Sequence, residues 1–378
     1  MKKLYTLILV FLVSLGFSQE YLKNNSVAIP PAPGYYDNAT GSGYQLKTQL
    51  YNIIKNHIDR GYSGLYTTYI TSDKDLYFEN NGTVLDIYTE NPTGTDIFEY
   101  TYGGSFPDGT PYQDNGTGGT AEGQHYNREH LVPQSVFSSA TPMYSDAHFI
   151  IPADKYVNGQ RGDLPFGKVN VASNTYSNGT KKGNNLNSGY SAGYSGQVFE
   201  PIDEFKGDIA RMLFYFATRY EDLVATWNYP MFNNTSNQVF TSNAINILLT
   251  WSNNDPVSQK EIDRNLAVYN RQNNRNPFVD HPEYALSIWG SLLNNTSYDR
   301  LETVTIYPNP STESVININS EIQIDEIELI SVNGQIVQDI KNPEFTSNQF
   351  SLKSVNPGFY FLRLTSNNQA TTKKVIVN

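Results

Sequence analysis

Apolar positions recur at helical steps through Leu46, Leu50, Ile53 and Ile54, with His57 in the same series, and predict an amphipathic helix over residues 43–58. Residues 60–125 lose that period. They are rich in Gly, Thr, Tyr and Asn, which predicts long loops with short β-like runs such as TVLDIYT at 83–89. Residues 206–223 are apolar on most sides, the pattern of a buried helix, and 243–251 form a shorter apolar one. Ser258 with Glu261 makes a capping box ahead of Ile262, Leu266 and Tyr269; Asp280 with Glu283 repeats it ahead of Tyr284, Ile288 and Leu292. The second half of the body is therefore mostly helical. Beyond residue 300 the period shortens to that of strands, in TVTIYPNP (303–310), SVININS (314–320), DEIELISVNG (325–334) and GFYFLRL (358–364). Asn-Gly, Asn-Pro and Pro-Gly turns separate these runs, as in a small β-sandwich. The pattern gives a body, 19–299, mostly helical in its second half, followed by a small all-β sandwich tail, 300–378.

The first eighteen residues carry a different signal. Lys2 and Lys3 precede an apolar run from Leu4 to Phe17, and Gly16 and Ser18 supply the small residues of a cleavage site. A run of 14 residues is short of the roughly 20 needed to span a bilayer. Residues 1–18 are thus expected to be a signal peptide, with export and no permanent membrane span.

Composition narrows the chemistry. Hydrophobic residues make up 38% and aromatics 13%, enough for a core, while the net charge of −11 leaves no broad basic coat. Any contact with nucleic acid must come from a local patch or a metal ion. From Gln124 to Lys182 six basic residues face four acidic ones, the least acidic part of the chain. Cysteine is absent, which removes disulfides, thiolate metal sites and cysteine nucleophiles together. An exported chain of this kind must be held by packing or by bound metal.

Two of the polar segments are dense in catalytic residue types. HYNREHLVPQS (125–135) sets Glu129 beside His130, and SDAHFIIPADKYVNGQRGDLPFGKV (145–169) holds Asp146, His148, Asn158 and Arg161. The set suits metal-assisted phosphodiester hydrolysis. A neutral imidazole takes a proton from water, a hard cation on carboxylate and amide oxygens neutralises the phosphorane, and an arginine grips a phosphate oxygen. Asn158 and Arg161, three apart, share one face of a helix. His125 and His130 are five apart, about 140° around a helix, so they cannot chelate one zinc as the HExxH pair does. A GxSxG elbow and a Walker loop are both absent from the sequence.

Taken in order, YNREHLVPQS, SDAHFIIPADKYVNGQRGDLPFG, KGDIARMLFYFATRY (206–220) and DPVSQKEIDRN…RQNNRNPFVDHPEY (255–284) resemble the endonuclease I family of ββα-metal (His-Me finger) nucleases. The resemblance implies a mixed α+β body whose site is a two-stranded ribbon packed on a helix, with His130 as general base and Glu129 and Asn158 as metal ligands. It implies cleavage of DNA, and often RNA, to 5′-phosphate products with little sequence preference. Magnesium is the implied cofactor, with calcium or manganese open. Exported members carry disulfides; this chain has no cysteine, so control by redox state is not expected. The assignment of Arg161 to catalysis rests on spacing, and Arg128, Asp146 and His148 are expected to support the site.

The tail motifs YPNPS (307–311), SVNG (331–334), PGFYFLRL (357–364) and the terminal KKVIVN resemble the type A sorting domain of type IX secretion. That implies passage across the outer membrane through the type IX machinery, to a secreted or cell-surface location. A second reading, a non-catalytic surface protein binding extracellular DNA or polysaccharide, is separated from the first by whether the protein cuts.

Overall fold

A computed structural model of the chain describes residues 30–293, 304–320, 322–366 and 369–378; the expected signal peptide at 1–18 lies outside them. The chain divides at Leu292 into two compact units. Among the described residues no helix is long and apolar enough to cross a membrane.

The first unit opens on α1 (Gly43–Ile54), which buries Leu46, Leu50 and Ile54. It ends short of the expected residue 58 because the chain is claimed by tertiary partners. The Ile58 N–H bonds to the Gln272 carbonyl, and His57 Nδ1 accepts from Arg219 Nε. A second helix, α2 (Gly64–Ser72), sits where loops were expected. The run at 83–89 is buried but is no strand. Asp86 folds it into a turn, accepting from Tyr88 N and Thr89 Oγ1, and also from Asp154 N.

Next comes a two-stranded antiparallel ribbon, β1 (Tyr126–His130) and β2 (Ile150–Asp154), in which His130 lies opposite Ile150. Helix α3 (Lys155–Arg161) follows β2 directly. Asp154 caps it by accepting from Val157 N, and Gly162 at φ +53° turns the chain out after Arg161. A three-stranded sheet of β3 (Val169–Thr175), β4 (Lys181–Asn185) and β5 (Gln197–Glu200) comes after it.

The remainder of the unit is helical, as its sequence predicts. Helix α4 (Lys206–Arg219) buries all 14 of its residues. The shorter expected helix extends to α5 (Ser242–Asn254), capped by Thr241. Helix α6 (Gln259–Gln272) carries the reciprocal Ser258–Glu261 box. Its inward face is polar: Glu261, Arg264, Asn265 and Gln272 are buried with Val268, whereas Ile262, Leu266 and Tyr269 are only half-buried. Arg211 of α4 pairs with Glu261, and Arg264 with Asp73, so the stripe is neutralised by partners far away in sequence. The second expected box does not form. Asp280 closes the short α7 (Pro277–Asp280) and pairs with Arg275, and α8 (Glu283–Leu293) begins after His281.

The second unit is all-β. One sheet has the order β10-β7-β6, from Gln349–Leu352, Ile316–Asn319 and Thr305–Tyr307. The other has the order β12-β11-β8-β9, from Gln369–Val377, Gly358–Ser366, Glu326–Ser331 and Ile336–Lys341. Ile316, Ile318 and Leu352 of the first sheet share one core with Ile327, Leu329, Leu362, Leu364 and Val375 of the second. The SVNG segment turns β8 into β9, with Gly334 at φ +81°.

Candidate active site

Alternation along β1 sorts the candidate residues onto two faces. Asn127 and Glu129 meet helix α3, where Asn158 Nδ2 donates to Asn127 Oδ1 at 2.8 Å and Arg161 Nη1 donates to Glu129 Oε1 at 2.5 Å. Two residues along the strand thus match three along the helix. Arg128 and His130 point to the other side and meet Tyr62, with the Arg128 guanidinium 3.4 Å from the Tyr62 ring centre.

Glu129 is buried, and both of its hydrogen bonds fall on Oε1, from Tyr88 Oη at 2.7 Å and from Arg161. Burial raises its pKa, while Arg161 and Tyr88 pull the other way. Among the described residues no donor reaches Oε2 of Glu129 or Oδ1 of Asn158, whose amide nitrogen is taken by Asn127 and the Arg128 carbonyl. A carboxylate and an amide oxygen, both hard and both without a donor, fit a divalent cation.

His130 is buried among Tyr62, Phe137, Tyr144 and Phe149. Burial pushes its pKa down to about 4, so the imidazole is neutral at pH 7. Its Nε2 lies 3.4 Å from the Tyr144 carbonyl. A carbonyl only accepts, so the tautomer that satisfies this contact carries its proton on Nε2 and its lone pair on Nδ1.

Arg161 is placed differently from the spacing argument. It is fully buried; besides Glu129 its donors serve the carbonyls of His130 and Leu131 and the hydroxyl of Tyr229, and its guanidinium lies 4.3 Å from the Phe166 ring centre. The side chain is a strut inside the wall and does not reach into a cleft. Asp146 and His148 belong to a separate buried network. Asp146 accepts from Tyr215, Tyr220, Gln272 and the His148 N–H, and His148 Nε2 lies 2.9 Å from the Asn274 carbonyl. This network anchors the segment that carries Tyr144, two residues before Asp146.

Residues 42–283 match the family model of Endonuclease I. The chain belongs to the endonuclease I family. It is 34% identical over 282 residues to an extracellular ribonuclease of Bacillus amyloliquefaciens, covering 72% of this chain and 85% of the relative. An extracellular ribonuclease of Bacillus subtilis is 33% identical over 274 residues, 70% of this chain and 83% of that one. Endonuclease-1 of Buchnera aphidicola is 24% identical over 135 residues, 36% and 44% of the two chains. Residues 305–378 match a secretion-system C-terminal sorting domain of the type IX kind. This member of the endonuclease I family is accordingly a nuclease, secreted or held at the cell surface. Its family is in general divalent-metal dependent.

Sequence reasoning missed Tyr88, Asn127 and Tyr144. Asn127 was within reach, since it stands two before Glu129 on a strand and must share its face. Tyr88 lies 41 residues from Glu129 in a run read as a strand, and nothing local marks its hydroxyl as a partner.

Proposed function

We propose that this protein is an exported, metal-dependent endonuclease of low sequence preference that hydrolyses phosphodiesters of RNA and DNA to 5′-phosphate and 3′-hydroxyl ends. We read the β1–β2 ribbon and α3 as its ββα-metal site, in a catalytic body (19–299) between a signal peptide (1–18) and a sorting domain (300–378). The reading rests chiefly on one observation: a buried neutral histidine whose Nε2 faces the Tyr144 carbonyl, next in chain to a carboxylate with one oxygen free of donors. The names of the Bacillus relatives bring RNA in beside DNA.

His130 Nδ1 takes a proton from water, and the oxygen attacks phosphorus as the bond to the 3′-oxygen breaks. That oxygen leaves with a proton from solvent. Glu129 and Asn158 would hold the cation, magnesium being the best match to a site with few protein ligands. When bound it supplies Lewis-acid stabilisation of the charge on the phosphorane and the departing oxygen. Arg161 acts as a positioning residue: it fixes the Glu129 carboxylate and the strand end that carries His130. Asn127 orients the Asn158 amide, and Arg128 braces the opposite face of β1 against Tyr62.

The test is cleavage of supercoiled plasmid and of end-labelled RNA by wild type and His130→Ala, each with magnesium and with EDTA. Cutting by wild type only, with metal only, and products that DNA ligase accepts without prior phosphorylation are expected. Wild-type rates in the folded His130→Ala protein would remove the proposed base. Absence of cutting with every divalent ion would leave a binding protein.

A further inference from the structure

Away from the β1–α3 layer, three acidic residues converge. Asp75, Glu79 and Glu90 each offer a carboxylate oxygen, and these oxygens lie within 4.8 Å of one another. Asp75 is fully buried and organises its loop: Oδ1 accepts from Tyr77 N and Phe78 N, and Oδ2 from Asn80 N. Glu90 is 1% exposed, and both its oxygens are buried without a hydrogen-bond partner. Both oxygens of Glu79 are in the same state. Among the described residues no lysine or arginine forms a salt bridge with any of the three.

A buried carboxylate is tolerated when it is protonated, ion-paired or bound to metal. Ion pairing is missing. Protonation alone leaves a hydroxyl that must donate, yet neither glutamate has a partner in reach. A cation answers both problems. The carboxylate oxygens all lie within 4.8 Å of one another, close enough for one ion with bonds of about 2.4 Å to reach all three.

We propose that Asp75, Glu79 and Glu90 form a structural site for a calcium-class divalent cation that ties the 75–82 loop to the segment after Asp86. Calcium fits because it accepts several carboxylates together with backbone and water oxygens in irregular geometry, where magnesium keeps most of its water. Burial and the nearby Asp96 charge push the Glu90 carboxyl up to about 9 without an ion, so binding displaces a proton. The site does the work of a disulfide in a loop-rich region of a chain without cysteine. Its reach extends to the active site, since Tyr88, which bonds Glu129, stands two residues before Glu90.

The test uses the full chain stripped of metal, with thermal unfolding and bound metal counted after equilibrium dialysis against calcium. Wild type is expected to gain roughly 5 °C with saturating calcium and to retain one ion that Glu129→Gln also retains. The Glu79→Gln/Glu90→Gln protein is expected to lose that ion and the shift. In chelator it should unfold at or above the wild-type temperature, because neutral amides replace the clustered carboxyls. Calcium that shifts the double variant as much as wild type overturns the proposal. So does a shift that disappears with Glu129→Gln, or a wild type that binds no ion, in which case the cluster is held by protons.

Discussion

Arg161 Nη1 donates to Glu129 Oε1 at 2.5 Å, and the two side chains are 0% and 2% exposed. The guanidinium is spent on the wall of the site and never meets solvent. Removing one member of a buried pair strands the other, at a cost of about 3–5 kcal/mol. Arg161→Ala should lose about that much stability in urea unfolding. A variant of wild-type stability whose kcat alone collapsed would return Arg161 to the phosphate.

Tyr88 donates to the same oxygen at 2.7 Å and holds the carboxylate together with Arg161. Groups that orient a metal ligand typically change affinity about 10- to 100-fold when lost. Tyr88→Phe should raise the magnesium concentration for half-maximal cleavage by about tenfold, with the rate at saturating magnesium near wild type. A magnesium titration that overlays the wild-type curve would place Tyr88 in packing alone.

How far the sequence reached depends on whether a residue's partners are local. The capping box at Ser258 and Glu261 joins neighbours and was legible, as was the apolar helix α4. The polar face of α6 was not. An interior of Glu261, Arg264 and Gln272 makes sense only once Arg211, Asp73 and Asp146 are known to stand opposite. The same holds in the site. Residue types together with the family resemblance named Glu129, His130 and Asn158, but only the fold shows that Arg161 is enclosed and that Tyr88 bonds Glu129.

His130 titrates against stability in a calculable direction. Burial lowers its folded pKa to about 4, below the 6.5 of an ordinary histidine. The contribution is therefore complete above pH 6.5 and is lost as pH falls through 4. Two and a half units correspond to roughly 3 kcal/mol. Wild type minus His130→Gln should thus shrink by about 3 kcal/mol between pH 7 and pH 4 in urea unfolding. Taking the difference cancels other groups, including Asp86, which burial raises to about 8. A difference independent of pH would show that His130 is not held neutral by the fold.

Nucleic acid should bind this nuclease with little help from counterion release. The basic residues around the site are already engaged. Lys155 pairs with Asp114, Lys168 with Glu200 and Arg161 with Glu129. The Lys182 ammonium donates to the Gln160 carbonyl, and Arg128 is stacked between Tyr62 and Tyr66. Each phosphate neutralised on duplex DNA steepens the log-affinity against log-salt line by about 0.9. With one or two phosphates in reach of Lys181 and its neighbours, the slope should be no steeper than about −2. It is measured on the His130→Ala protein by fluorescence anisotropy between about 50 and 300 mM salt. A slope near −5 would mean that these pairs open to receive the backbone, and the charge pattern of the free protein would no longer describe its bound face.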